Sequence, residues 1–359
     1  MRMHELFRIR RRTPGSPRLA AHRSVYPVGA GGNPEDMAAI GYTLMTEQAG
    51  PRDLIRHAQQ AEATGFDFAV SSDHFFPWLD EMGHAPNAWV TLGAVAQATE
   101  TLPLMTYVTA PTFRYHPAVV AQQAATLQII SGGRFTLGLG SGENLNEHIV
   151  GGGWPAADVR QARLVEAAQI INALFDGGYV NHDGRHFQVA SAKLWDLPDV
   201  RVPIGIAVSG KQSCELFGPL ADVMIAIDPE PELGQWWDAA SRTGSSSRKV
   251  AQLPISWDSD ADAAAQRAHR LFRWSAGGWK VNAELPGTAG FDQASSSVKV
   301  ADIAETIPCG NDVGAVVAAA KEFFDAGFTD LALVQIGADQ QDNFFAAATA
   351  EILPELRKL

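Results

Sequence analysis

Cysteine is almost missing from this 359-residue chain: Cys214 and Cys309 are its two thiols. A pair so far apart makes neither a disulfide framework nor a structural zinc site, so a reducing cytoplasm is the expected compartment. Positive charge is short as well. Twenty-eight Lys and Arg stand against 40 Asp and Glu, a net charge of −12, which excludes nucleic acid or an anionic membrane as the main partner. No apolar run reaches the ~18 residues that a membrane-spanning helix needs. Metal-binding patterns are lacking too. Around Asp73, His74, His84, His116 and His148 there is neither His-x-His nor His-Glu-x-x-His, which argues against a metal-dependent hydrolase.

What is present falls into two parts. Residues 1–37 hold the basic stretch Arg8–Arg12 and then a run rich in Pro, Gly and Arg. No apolar segment follows the arginines, so a secretion signal does not fit, and a disordered or non-native extension is expected. From residue 38 to residue 359, short apolar runs alternate with amphipathic stretches, the pattern of a parallel sheet covered by helices. Eight strands are expected: Ile40–Met45, Phe68–Ser72, Leu102–Val108, Arg134–Leu139, Pro203–Val208, Val223–Ile227, Val250–Ser256 and Leu331–Gln335. Eight strands with crossover helices close into one (β/α)8 TIM barrel domain, with an open doubly wound sheet as the alternative. Tyr179–Val189, centred on Asp183-Gly184, reads as a β-hairpin. Residues 276–311, rich in Gly, Ser and Pro, read as a loop insertion over the barrel mouth between the seventh and eighth strands.

In a barrel, polar residues just past the strands converge on one rim. The fourth strand breaks into Gly138, Gly140 and Gly142 and then presents Ser141, Glu143, Asn146 and Glu147. The second runs into Asp73, His74 and Trp78, and the first into Thr46, Glu47 and Gln48. His74 is the natural general base, because imidazole titrates near neutrality and Asp73 or Glu143 can tune it. Glu143 faces a ligand in one reading and merely complements a helix N-terminus in the other. Glu47 either joins the site or caps the helix that begins at Pro51. Ser209, Gly210 and Lys211 lie between the fifth strand and a helix, where backbone N–H groups favour an anion. Tyr107, Trp78 and Trp89 could line a flat cofactor, although such aromatics more often pack in a core.

Three of these blocks carry a family resemblance. Ser72-Asp-His-Phe-Phe-Pro-Trp78, Pro111-Thr-Phe-Arg-Tyr-His-Pro117 and Gly138-Leu-Gly-Ser-Gly-Glu-Asn-Leu-Asn-Glu147 resemble signature blocks of a known group. It is the glucose-6-phosphate dehydrogenase type of coenzyme F420-dependent oxidoreductases, within the luciferase-like (β/α)8 superfamily. The resemblance implies coenzyme F420 as the cofactor and hydride transfer between C5 of the deazaflavin and an alcohol carbon. It implies catalytic positions at His74, Glu143, Trp78 and Glu47, with His74 taking the hydroxyl proton. It implies cofactor-binding positions at Asp73, Tyr107, Val108, Ser141, Gly142, Asn146, Ser209, Gly210 and Lys211, with a cis peptide at Tyr107-Val108. Relatives of this kind imply a homodimer.

The chain departs from the sugar-phosphate branch in one respect. Glu215 and Thr306 stand where that branch has basic phosphate-binding residues, and a third such position falls near Lys280 or Glu284. Carboxylates repel a dianion, so the expected substrate is a small-molecule alcohol or sugar other than glucose 6-phosphate. The competing readings are an F420-dependent sugar-6-phosphate dehydrogenase, an FMN-dependent luciferase-like monooxygenase, and a catalytically idle barrel that serves as a partner protein.

Overall fold

The computed structural model describes residues 38–359, and the expectations for residues 1–37 lie outside the described residues. The strands are β1 (Ala39–Leu44), β2 (Phe68–Ser71), β3 (Leu104–Thr106), β4 (Phe135–Leu139), β5 (Val180–Asp183) and β6 (Gln188–Ala192). They continue with β7 (Ile204–Ala207), β8 (Val223–Ile225), β9 (Arg248–Trp257), β10 (Cys309–Gly310) and β11 (Asp330–Gln335). Eight of them, all but β5, β6 and β10, pair in parallel in the order β9-β11-β1-β2-β3-β4-β7-β8, and a β8–β9 pairing closes the ring. The expected (β/α)8 barrel is therefore the fold, and the open sheet is not.

Strand alternation explains how the barrel fills. Phe68 and Val70, Val223 and Ile225, with Met105, Val250 and Ala332, point inward and pack as one small cluster. Their neighbours, such as Ala69, Met224, Ala251, Leu331 and Leu333, face the helices and join the larger outer core. This is the two-residue period of a strand, with both faces buried. The helices follow local rules as directly. Pro51–Thr64 starts on proline, buries Leu54, Ala58 and Ala61 on one side, and stops at Gly65 in the left-handed conformation (φ 91°). In Ala88–Ala98 the Asn87 side chain caps the first turn by accepting from Val90 N–H.

Three boundaries differ from expectation. The third barrel strand is shorter, since Pro103 has no N–H to give the ladder, and it ends before Tyr107-Val108, a cis peptide bond. The seventh barrel strand is longer, Arg248–Trp257, because β10 pairs with its end at Ser256 and Trp257. Residues 276–311 are not a loop. They carry the short helices Trp279–Asn282, Thr288–Ala294 and Val300–Ala304, anchored by buried Phe291, Ile303 and Ile307 in a second apolar cluster. The hairpin is present as β5–β6, with the Glu166 carboxylate accepting from His186 and Phe187 N–H at its turn.

Candidate active site

The C-terminal ends of the barrel strands surround a cavity of about 610 Å3. That lies within the range of small-molecule and cofactor sites. Three strand ends meet at His74. Its Nδ1 lies 3.0 Å from the Phe76 carbonyl and 3.4 Å from Glu47 Oε1, and its Nε2 lies 3.5 Å from Glu143 Oε2. A carbonyl only accepts, so Nδ1 carries the hydrogen and the neutral ring keeps its lone pair at Nε2. Glu47 is held by the Ser72 and Thr46 hydroxyls, which fix it beside the imidazole rather than at the helix start.

The electrostatics oppose one another. Burial alone pulls the His74 imidazole down, but Glu47 and Glu143, helped by the Phe76 carbonyl, outweigh it and leave its pKa raised. Burial pushes the Glu143 carboxyl up, against the pull of His74 and the Asn146 amide. Glu143 thus holds a proton more readily than an ordinary glutamate, facing a base that gives its own up less readily. Groups pushed toward neutrality in a cleft are the arrangement acid–base chemistry uses.

Behind this pair lies a buried ion cluster in which Asp73 and Glu147 meet Arg114, a partner the sequence did not single out. Arg114 NH2 donates to the Asp73 carbonyl at 2.8 Å and to Asp73 Oδ1 at 3.2 Å, while its own backbone N–H donates to Glu147 Oε2 at 2.8 Å. Burial raises the Glu147 carboxyl to about 7, although Arg114 opposes this. Asp73 also accepts from the Thr109 and Tyr115 hydroxyls, so both its carboxylate oxygens are engaged by the protein. Asn146 is engaged likewise. Its Oδ1 accepts from Phe75 and Phe76 N–H, and its Nδ2 donates to Glu143.

Most residues expected at the site do meet there. Glu47, Asp73, His74, Trp78, Tyr107, Val108, Ser141, Gly142, Glu143, Asn146 and Ser209 all line the cavity. Gly210 and Lys211 do not, and Lys211 points outward, its side chain 64% exposed and its ammonium 3.9 Å from Glu215. The Ser209 N–H is taken by the Ser213 hydroxyl, which removes one donor from the expected anion site. Trp89 packs against Phe135 in the core, His116 caps the helix Pro117–Ile130, and Gln48 bonds Gln335 and Gly337. The sequence reading missed cavity-lining Arg160, Asp228, Glu230, Trp274 and Trp279. A strand-end signal was available for Asp228, just past β8, but none for the tryptophans, which reach the site from the 273–284 segment. Among the described residues no three His, Cys, Asp or Glu side chains form a metal cluster, and no helix is long and apolar enough to cross a membrane.

Comparison with known proteins bears on the family. The model of the luciferase-like monooxygenase family matches residues 36–330. The F420-dependent glucose-6-phosphate dehydrogenase of Amycolatopsis mediterranei (strain U-32) is 33% identical over 334 residues, 90% of this chain and 100% of that protein. Its counterpart in Beutenbergia cavernae is 36% identical over 335 residues, 89% of this chain and 98% of that protein. A solved F420-dependent secondary alcohol dehydrogenase in complex with an F420–acetone adduct superposes with a TM-score of 0.82 at 27% identity, covering 89% of this chain and 99% of that one. The chain belongs to the luciferase-like family, among its F420-dependent oxidoreductases of the glucose-6-phosphate dehydrogenase type.

Proposed function

We propose that this protein is a coenzyme F420-dependent oxidoreductase that acts on the hydroxyl-bearing carbon of a neutral alcohol or unphosphorylated sugar. The observation that carries the reading is His74 held between Glu47 and Glu143 on the wall of the 610 Å3 cavity. The wall fits a flat ring. A Cβ at Gly140 would come within 2.5 Å of Val108, and one at Gly142 within 3.2 Å of Ala110, so the glycines keep this wall flush. Val108, Ser141, Gly142 and Ala207 would hold the deazaflavin on that side. When bound, it supplies a two-electron carrier that takes or gives a hydride.

The protein's own contribution is proton handling and exclusion of water. The lone pair at His74 Nε2 takes the hydroxyl proton during oxidation and returns it during reduction. Glu47 stabilises the resulting imidazolium from the Nδ1 side. Glu143, pushed toward its protonated form, serves as a proton store beside the reacting atoms. Trp78, 4.9 Å from the imidazole between ring centroids, shields the base from bulk water.

The charge of the cavity supports the choice of substrate. Seven carboxylates line it against three basic side chains. Arg114 is engaged by Asp73 and Glu147, and Arg160 by Glu284 at 2.8 Å and the Pro155 carbonyl at 2.7 Å, which leaves Lys280. A phosphate dianion there meets like charge at a cost of several kcal/mol. The test is loss of the oxidised deazaflavin chromophore with a panel of alcohols, sugars and glucose 6-phosphate. Neutral substrates are expected to exceed glucose 6-phosphate in kcat/KM by on the order of 100-fold. Glucose 6-phosphate as the best substrate of the panel overturns the assignment.

A further inference from the structure

The wall beside His74 is aromatic, and half of it comes from outside the barrel strands. Trp78 stacks face to face on Trp274, with ring centroids 4.1 Å apart and planes 6° from parallel, and Phe291 meets Trp78 edge-on at 5.1 Å. The Trp274 indole N–H donates to the Leu271 carbonyl, so its polar edge is satisfied within the protein. Trp279, on the next short helix, also lines the cavity and is 36% exposed. The 279–284 segment is fastened over the site. Asn144 N–H donates to the Ala283 carbonyl at 3.0 Å, Asn144 Nδ2 to the Glu284 carbonyl at 2.9 Å, and Arg160 pairs with the Glu284 side chain at 2.8 Å.

We infer that Trp274 and Trp279 determine specificity and select an alcohol bearing an apolar ring or chain beside its carbinol carbon. The inference rests on the hydride-transfer reading and narrows its substrate. The imidazole fixes where the hydroxyl sits, and the indoles then define what lies next to it. Flat apolar faces, with the Trp274 N–H already satisfied by the Leu271 carbonyl, reward burial of CH groups and offer little to a ring of hydroxyls. The cavity carboxylates suggest a rival, a cationic amino alcohol held by charge and by the indole faces. Asp228 and Glu230, the cavity carboxylates without an ion-pair partner among the described residues, are exposed at the end of β8, whereas Trp78, backed by Trp274 and Phe291, packs against His74. The apolar group is therefore favoured.

The experiment has two arms, both on the F420-loaded protein. Calorimetric titration measures affinity for secondary alcohols of rising apolar size, from 2-propanol to cyclohexanol and larger cycloalkanols, and for amino alcohols of matched shape. Steady-state assays follow the same set. Affinity and kcat/KM are expected to rise about fourfold per buried methylene, the equivalent of ~0.8 kcal/mol. Trp279→Ala is expected to flatten that rise, lowering kcat/KM for the larger cycloalkanols much more than for 2-propanol. Trp274→Phe, which keeps an aromatic ring against Trp78, gives the same reading if the alanine variant is unstable. A flat series, or a protonated amino alcohol preferred over its carbon isostere, overturns the inference. Absence of turnover with every alcohol sinks the hydride-transfer reading instead, and the calorimetric series then still decides the apolar preference.

Discussion

The Asn146 side chain donates to Glu143 at 2.8 Å, and the same amide ties the end of β4 to the turn that carries His74. The other end of the same amide accepts from Phe75 and Phe76 N–H at 2.8 and 3.1 Å. Asn146 therefore links the segment that carries Glu143 to the turn that carries His74.

Asn146→Ala leaves two backbone N–H groups without their acceptor, each worth about 1–3 kcal/mol when buried. The melting temperature is expected to fall. Hydride transfer is expected to slow by on the order of 100-fold through misplacement of His74 and Glu143, with KM for the alcohol changing much less. Thermal melts and steady-state kinetics check both, and an unchanged kcat would remove Asn146 from the positioning role.

Alcohol oxidation needs a neutral His74, and its pKa lies above the ordinary 6.5 because Glu47 and Glu143 outweigh burial. The rate of oxidation is expected to rise with pH through that elevated value. Glu47→Gln removes the larger of the two raising charges, so the acid limb of the kcat profile shifts to lower pH. The stability linked to this proton is full below the unfolded histidine pKa and is lost as pH rises through the folded one. His74→Gln is expected to lower turnover by about 10²–10⁴ while leaving cofactor binding intact. Fluorescence titration of the cofactor separates the two effects.

Arg114→Met strands Asp73 and Glu147 as buried carboxylates without their cation. Breaking such a cluster typically costs about 3–5 kcal/mol, so unfolding in urea is expected at a much lower midpoint. Glu147, already raised to about 7, moves further up when the guanidinium is gone. The urea midpoint of the variant is then expected to fall as pH rises through neutrality, where the folded state still holds a proton on Glu147 that the unfolded state has already lost. A midpoint independent of pH between 6 and 8 counts against the cluster as described.

Two glycines at strand ends make a paired test. A Cβ at Gly138 would lie 1.9 Å from the Thr106 carbonyl oxygen and 3.1 Å from Ile225, inside the barrel wall. Gly138→Ala is expected to destabilise by several kcal/mol, the range of a forced backbone shift. Gly210 has nothing within 4 Å of its Cβ position and an extended φ of 166°, so Gly210→Ala is expected to be silent in melts and in turnover.

The barrel was legible because each strand shows its own signature. Phe68–Val70 and Val223–Ile225 are short unbroken apolar runs, each following a glycine-bearing turn at Gly65 or Gly218, and Pro51 and Gly65 mark a helix at both ends. The strand-end rule then brought Glu47, His74 and Glu143 together from three separate stretches. The rule also brought Asp73 and Asn146 to the rim, but it could not foresee the internal hydrogen bonds that engage both side chains there. It also placed Lys211 at the cavity, whereas the helix Lys211–Phe217 turns that ammonium toward Glu215 and solvent. Trp274 and Trp279 were invisible for a different reason. Their segment folds through contacts with the finished barrel, and no local period announces such contacts.

The Asn144 and Arg160 bonds to Ala283 and Glu284 join the segment carrying Trp279 to the stretch carrying Glu143. On the proposed reading, substrate choice and proton delivery are thereby mechanically geared to one another. A graft that exchanges residues 273–284 for those of a relative would import a new selectivity only together with matching partners at 144 and 160. Without them the borrowed wall would hang loose, and the chemistry beside it would slacken too.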